Sequence, residues 1–245
     1  MKINSPSLFL EINTSELIFL VVERLENNKY EFLYEHSITF KGIDKKQIID
    51  LDLLYDTIKQ NIYSIEQKFN TIFSEVTIII DIFECSIINF TGFKNLNGTQ
   101  LAKENITYIL NSLKAKIFEF ENQKTILHMF NSKYFLDKKE TENIPIGLFG
   151  NFYSHELAFF LINKNDYKNL HNIFNKCNLK IKKIISKSFI EGANIIENNS
   201  NLETFVKIKI DKENSKIIFF ENSSLKFFQE FNFGTDLIVN DISKI

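Results

Sequence analysis

Two stretches of this chain run through the same order of elements, and that repeat narrows the folds open to it. In the first stretch, residues 7–12, 16–25 and 30–40 are apolar, β-prone runs. They are separated by the polar groups Asn13-Thr14-Ser15 and Glu26-Asn27-Asn28-Lys29. Short polar turns between such runs predict an antiparallel meander of three strands. A loop at 41–44 carries Gly42. Then Leu51, Leu54, Tyr55, Ile58, Ile62, Ile65 and Phe69 recur at three- and four-residue spacing. That spacing predicts an amphipathic helix with its apolar face on the sheet. In the second stretch, 204–210, 216–221 and 225–233 predict three more strands, and 234–245 reads as the start of a helix. The duplication is weak in residues and clear in order.

The segments between the two stretches follow the same logic. Residues 76–80, Val-Thr-Ile-Ile-Ile, are apolar throughout and of strand length, the pattern of a strand buried on both faces. A β-prone stretch at 83–93 is followed by a helical pattern over 99–121, with Leu101, Ile106, Ile109, Leu110, Leu113, Ile117 and Phe120 on one side. Strands are predicted at 125–136 and 152–163, with a charged, exposed loop at 137–143. Together these form a compact α+β unit of about 80 residues, an ordinary size for a domain. A helix over 166–177, stopped at Asn178, precedes a strand at 179–185, a short helix at 189–196 and a turn at 198–201. Three parts are expected: 1–82 with 164–200, an insert at 83–163, and a second half beginning at 201–245.

Composition excludes several classes. The formal charge is −2, from 29 basic and 31 acidic residues, so nothing draws the chain to nucleic acid or anionic lipid. Cys85 and Cys177 stand far apart without a partner Cys or His at ligand spacing, which predicts free thiols and no zinc. The apolar run at the N-terminus is broken by Glu11, Asn13, Thr14, Ser15 and Glu16, so a secretion signal is not expected. No stretch approaches the roughly 20 apolar residues of a membrane span. A cytoplasmic chain is expected. Phe occurs 26 times and Arg24 is the sole arginine, a bias of AT-rich codons rather than of function.

Four segments then carry a family resemblance. Phe9-Leu10-Glu11-Ile12-Asn13-Thr14-Ser15 resembles the first phosphate loop of FtsA proteins, roughly G-L-D-I-G-T-S. Ile144-Pro145-Ile146-Gly147-Leu148-Phe149 is similar to the N-P-V-G-L-S-G segment of the FtsA insert. Asn165-Asp166, followed by Ile173-Phe174-Asn175-Lys176-Cys177-Asn178-Leu179, resembles the family's helix ending in E-R-C-G-L that precedes its next strand. The segment 234–243, Gly-Thr-Asp-Leu-Ile-Val-Asn-Asp-Ile-Ser, is similar to G-x-x-I-T-N-D-I-A. The resemblance covers nearly the whole chain in the family's order. It implies an α/β, actin-like (ribonuclease H-like) domain with an inserted α+β subdomain and the beginning of a second actin-like half.

The departures from the family pattern lie at the nucleotide. By resemblance, Glu11, Asn13, Thr14, Ser15, Asp211, Asn214 and Gly234 occupy the cofactor-binding positions. Glu11 stands for Asp and Asn13 for Gly in the first loop. The second loop, D-I-G-G-G-T in the family, reads Lys209-Ile210-Asp211-Lys212-Glu213-Asn214 here, without a glycine. Glycines let backbone N–H groups approach a phosphate without a Cβ in the way. Glu213 would point charge at a phosphate, and Lys209 replaces a carboxylate on the metal side. ATP hydrolysis is therefore not expected, no catalytic residue is assigned, and ATP binding with magnesium is expected to be weak or lost.

The function implied is that of a cell-division scaffold acting by protein–protein contacts, with FtsZ and later division proteins as partners, and with self-association. FtsA proteins continue beyond the point that matches Ile245, so the chain is expected to be either a fragment, with the FtsZ contact and membrane anchor outside it, or a reduced gene product; any place at the inner face of the cell membrane would be peripheral. Two rival expectations stand beside this. One is an actin-like filament protein gated by retained ATP binding. The other is a pilus or secretion assembly protein of the PilM type, which binds a peptide of a membrane partner. The insert is the expected contact surface. Thr14 and Ser15 also read as an ordinary hairpin turn. Asn240 and Asp241 read equally as nucleotide neighbours or a wet helix face. His128 and His155 read as strand-face or surface residues rather than acid–base groups. Asp52 and Asp56 read as the wet side of a helix.

Overall fold

The computed structural model describes residues 6–26, 29–44, 46–199 and 201–243. Asn27 and Asn28 of the second predicted turn lie outside these, as does Ser200 of the predicted turn at 198–201. Packing divides the chain into two compact units, Met1–Glu84 with Ile162–Ile190, and Cys85–Leu161 with Glu191–Ile245.

In the first unit, β1 (Ser7–Ile12), β2 (Glu16–Arg24) and β3 (Tyr30–Thr39) form the expected antiparallel meander. The stretch expected as a loop at 41–44 instead gives β4 (Ile43–Asp44), which pairs with β5 (Gln47–Ile48) in a two-residue ladder. Helix α1 (Leu51–Phe69) has capped ends. Asp50 accepts a hydrogen bond from the Leu53 amide at 2.8 Å, which satisfies one of the orphan donors of the first turn. Asn70 closes the helix at φ 46°, a left-handed conformation that Asn tolerates. Leu54, Ile58, Ile62 and Ile65 form its buried stripe.

Strand β6 (Glu75–Ile80) follows and pairs in parallel with β1. Helix α3 (Lys164–Lys176), which comes after the insert, leads through Asn178 (φ 58°) into β11 (Lys180–Ser186). Strand β11 pairs in parallel with the other edge of β6. The sheet order is β11-β6-β1-β2-β3. Val76, Thr77, Ile78 and Ile80 of β6 are buried, as expected for a strand covered on both faces.

The second unit begins with the insert. Strand β7 (Cys85–Asn95), helix α2 (Lys103–Phe120), β8 (Lys124–Leu136), β9 (Lys139–Thr141) and β10 (Phe152–Asn163) build a sheet of order β7-β10-β8-β9. Strand β9 corrects the expected loop at 137–143. Asp137 and Lys138, at φ 50° and 69°, make the tight left-handed turn that twists a hairpin correctly, and Lys139–Thr141 folds back on β8. Ile106, Ile109, Leu113 and Ile117 of α2 pack on Tyr153, Leu157, Phe159 and Leu161, alternate residues of β10.

Helix α4 (Lys187–Asn198) leads to β12 (Phe205–Ile210), β13 (Ser215–Glu221) and β14 (Ser224–Phe231), an antiparallel meander, and then α5 (Thr235–Ile242). Two copies of a three-stranded meander followed by a helix are thus present. The α/β class and the actin-like order of elements hold.

His155 lies on the buried face of β10 at 1% exposure, in the core rather than on a surface. Its Nε2 is 3.2 Å from Asn131 Oδ1, and the rings of Tyr134 and Tyr153 flank it. Burial, which penalises the imidazolium, holds its pKa at about 4, below the ordinary 6.5.

Two outcomes are expected. Leu113→Ala leaves a cavity between α2 and β10 and should lower unfolding free energy by about 3 kcal/mol in urea titrations. The unfolded chain takes up a proton on His155 near its ordinary pKa, while the folded chain refuses it until about pH 4. Stability from this residue is therefore full above pH 6.5 and declines as pH falls toward 4, by about 3 kcal/mol in all. The urea midpoint of His155→Leu should fall less over that window than that of the wild type.

Candidate functional site

Strands β1, β6 and β11 run in parallel, so their carboxyl ends share one edge of the sheet, the edge at which open α/β sheets receive ligands. Glu11 is paired with Ile79, and Ile12 and Ser186 are both paired with Ile80. The first predicted loop is the β1–β2 turn at this edge. The Asn13 amide donates to the Glu16 carbonyl at 3.1 Å and closes the turn. The Asn13 side-chain Nδ2 donates to Glu11 Oε1 and to Glu16 Oε1, each at 3.2 Å. Ser37 Oγ donates to the second oxygen of Glu16 at 2.6 Å, and the Phe40 amide donates to the Ser15 carbonyl at 2.8 Å. Thr14 and Ser15 form the exposed tip. Glu11, Asn13, Thr14 and Ser15 are therefore gathered in one turn.

One residue of that turn's surroundings carries no sequence signal. Lys187 opens α4 directly after β11, and its Nζ donates to Glu11 Oε1. The pair is largely withdrawn from solvent, with the Glu11 side chain 14% and the Lys187 side chain 28% exposed. The partners are 176 residues apart, and only the parallel pairing of three strands brings them together.

The second predicted loop is the β12–β13 turn. The Asp211 amide donates to the Asn214 carbonyl at 2.8 Å. The first amides of α5, Thr235 and Asp236, donate at 3.0 Å to the Asp211 and Lys212 carbonyls. The start of α5 thus lies against the turn, and Gly234 permits the approach. A Cβ there would sit 2.2 Å from the Asp211 carbonyl oxygen. Asp211, Asn214 and Gly234 are therefore gathered in a second place. Lys209 Nζ stands 3.3 Å from an Asp211 oxygen, and Lys212 Nζ 3.9 Å from Asp236.

A magnesium-bound polyphosphate needs free carboxylate oxygens toward the metal and bare backbone N–H groups toward the phosphates. The residues present do not fit it. Glu11 is already neutralised by an ammonium, neither turn contains a glycine, and the first α5 amides are spent on carbonyls. Among the described residues no group of three or more His, Cys, Asp or Glu could hold a metal ion. His128 packs its ring near Phe130 and Phe160, at 5.8 and 5.9 Å, in the fabric of the sheet. Asp52 and Asp56 are exposed on α1, as expected. Among the described residues no helix is long and apolar enough to cross a membrane.

Comparison with known proteins adds to this geometry. No family model matches the chain. The cell division protein FtsA of Buchnera aphidicola subsp. Schizaphis graminum is 24% identical over 234 residues, 96% of this chain and 56% of that protein. FtsA of Escherichia coli K12 is 19% identical over 234 residues, 96% of this chain and 55% of that protein. The chain thus spans about half the length of the curated relatives it matches. Among solved structures, the PilM–PilN type IV pilus biogenesis complex superposes with a TM-score of 0.62 at 10% identity, over 98% of this chain and 66% of that one. The chain therefore has the actin-like fold, and along 96% of its length its sequence is similar to the cell division protein FtsA.

Proposed function

We propose that this chain serves as a scaffold of the bacterial division machinery, acting through protein–protein contacts rather than catalysis. The observation that carries the reading is the sequence similarity to FtsA along nearly the whole chain. Its partners are FtsZ and later division proteins, with self-association beside them, and it works in the cytoplasm, peripherally at the inner face of the cell membrane. ATP binding is weak or lost. The engaged carboxylate of Glu11 and the absence of glycine from both turns support this, because backbone N–H groups cannot wrap a phosphate where Cβ atoms and an ion pair stand.

The insert is the contact surface in this reading. Phe93 of β7 and Phe152 of β10 stack on the outside of its sheet with ring centroids 5.9 Å apart. Phe93 is 63% exposed, and Phe149, in the segment leading to β10, is 69% exposed. Exposed aromatic clusters of this kind are frequent anchors of protein interfaces. A second reading keeps the rival expectation of a pilus or secretion assembly protein that binds a membrane partner's peptide; the fold shared with the PilM–PilN type IV pilus biogenesis complex is compatible with it. A third, an ATP-gated filament, is separated from the first by nucleotide binding.

Isothermal titration with Mg-ATP and Mg-ADP should give no saturable heat up to millimolar ligand in protein shown to be folded. Micromolar binding would replace the scaffold with the nucleotide-gated filament. Phe93→Ser with Phe152→Ser should weaken capture of purified division proteins by about tenfold or more, with little change in melting temperature, since both rings are exposed. Full capture by the double variant would move the contact surface away from the β7–β10 face.

A further inference from the structure

The parallel edge that holds the first turn also holds a positive charge that belongs to the protein. Lys187 follows β11 where β11 ends beside β6, and Glu11 nearly ends β1 on the other side of β6. The Lys187 ammonium donates to Glu11 Oε1, and the Asn13 amide group donates to the same oxygen. Asn13 also reaches Glu16, so one ammonium and one amide tie two carboxylates and the turn between them to the start of α4. A carboxylate largely removed from water needs a compensating charge, and a metal ion or an ammonium can supply it.

We propose that Lys187 is a built-in counter-ion of the first turn. Its ammonium takes up the charge of Glu11 that a divalent cation would otherwise balance, so the turn is closed to metal and keeps its shape without a ligand. The inference deepens the scaffold reading and rests on it for its biological meaning, though its chemistry stands on the ion pair alone. Lys187 acts here by positioning and neutralising Glu11.

The test uses manganese alone as a spectroscopic stand-in for magnesium, without nucleotide. The free-ion resonance of Mn2+ is followed as wild type, Lys187→Gln, Lys187→Arg and the Lys187→Gln/Glu11→Gln double variant are added. Wild type and Lys187→Arg should leave the signal unchanged. Lys187→Gln should bind one ion about tenfold or more tightly than wild type, the scale of one desolvated charge pair. The double variant should lose that site. Metal binding by wild type as tight as by Lys187→Gln overturns the proposal, and so does a folded Lys187→Gln that binds none. Thermal melting with and without magnesium covers a weakened variant. Magnesium should raise the melting temperature of Lys187→Gln and leave wild type unmoved, and equal shifts in both overturn the counter-ion role. The two readings fail separately. ATP binding by wild type without magnesium sinks the lost-nucleotide reading and leaves the counter-ion standing, whereas magnesium uptake by wild type sinks the counter-ion.

Discussion

The parallel pairing of β6 with β1 on one edge and β11 on the other is the constraint on which the first unit depends. Parallel neighbours need crossovers, and α1 and α3 supply the helical part of those crossovers. The same pairing fixes which ends meet. The last residues of three strands come out at one edge, so the side chain of Glu11 and that of Lys187 share a neighbourhood that their separation of 176 residues conceals. A charge pair made in this way is specified by topology. No local motif encodes it, and a shift of β11 by one residue against β6 would turn its alternating side chains to the opposite faces and displace the start of α4.

Most of the fold was legible because local signals agreed with one another. Helix α1 begins and ends where the spacing of apolar residues places it, since Asp50 caps one end and Asn70 turns the chain at the other. Strand β10 runs over 152–163 as read, because a long apolar run of β-prone residues has few other uses. The errors have equally local causes. The segment 137–143 is charged and reads as a loop, yet a hairpin needs only a turn that accepts positive φ and one partner edge, and Asp137-Lys138 meets the first need. Of the two places open to His155, a strand face or the surface, the structure takes the strand face and turns it inward, because alternation along β10 puts it on the same side as Tyr153 and Leu157.

The candidate site was legible in part. The turn residues were placed in the two hairpins by resemblance, and the structure gathers Glu11, Asn13, Thr14 and Ser15 in one turn and Asp211, Asn214 and Gly234 in another. Lys187 was invisible. A lysine after a strand is ordinary in a chain so rich in lysine, and its meaning arises only from the carboxylate it meets. Gly234 had a legible identity but an illegible reason. Its lack of a Cβ serves the close approach of the chain to the Asp211 and Lys212 carbonyls, a contact made within this unit.

Within each turn an acidic side chain already has an ammonium beside it, Lys187 at Glu11 and Lys209 at Asp211. A bound cation is exchangeable, and a site that depends on one reports its presence through stability and shape. A covalently attached ammonium is always present, so it removes that dependence along with the means of signalling by it. An actin-like chain of this kind can keep the architecture of a switch while holding one state. Its sheet edge, turn and helix start are joined by internal pairs. Asn13, which stands where the FtsA pattern has a glycine, makes hydrogen bonds to Glu11 and Glu16 for which a glycine has no side chain.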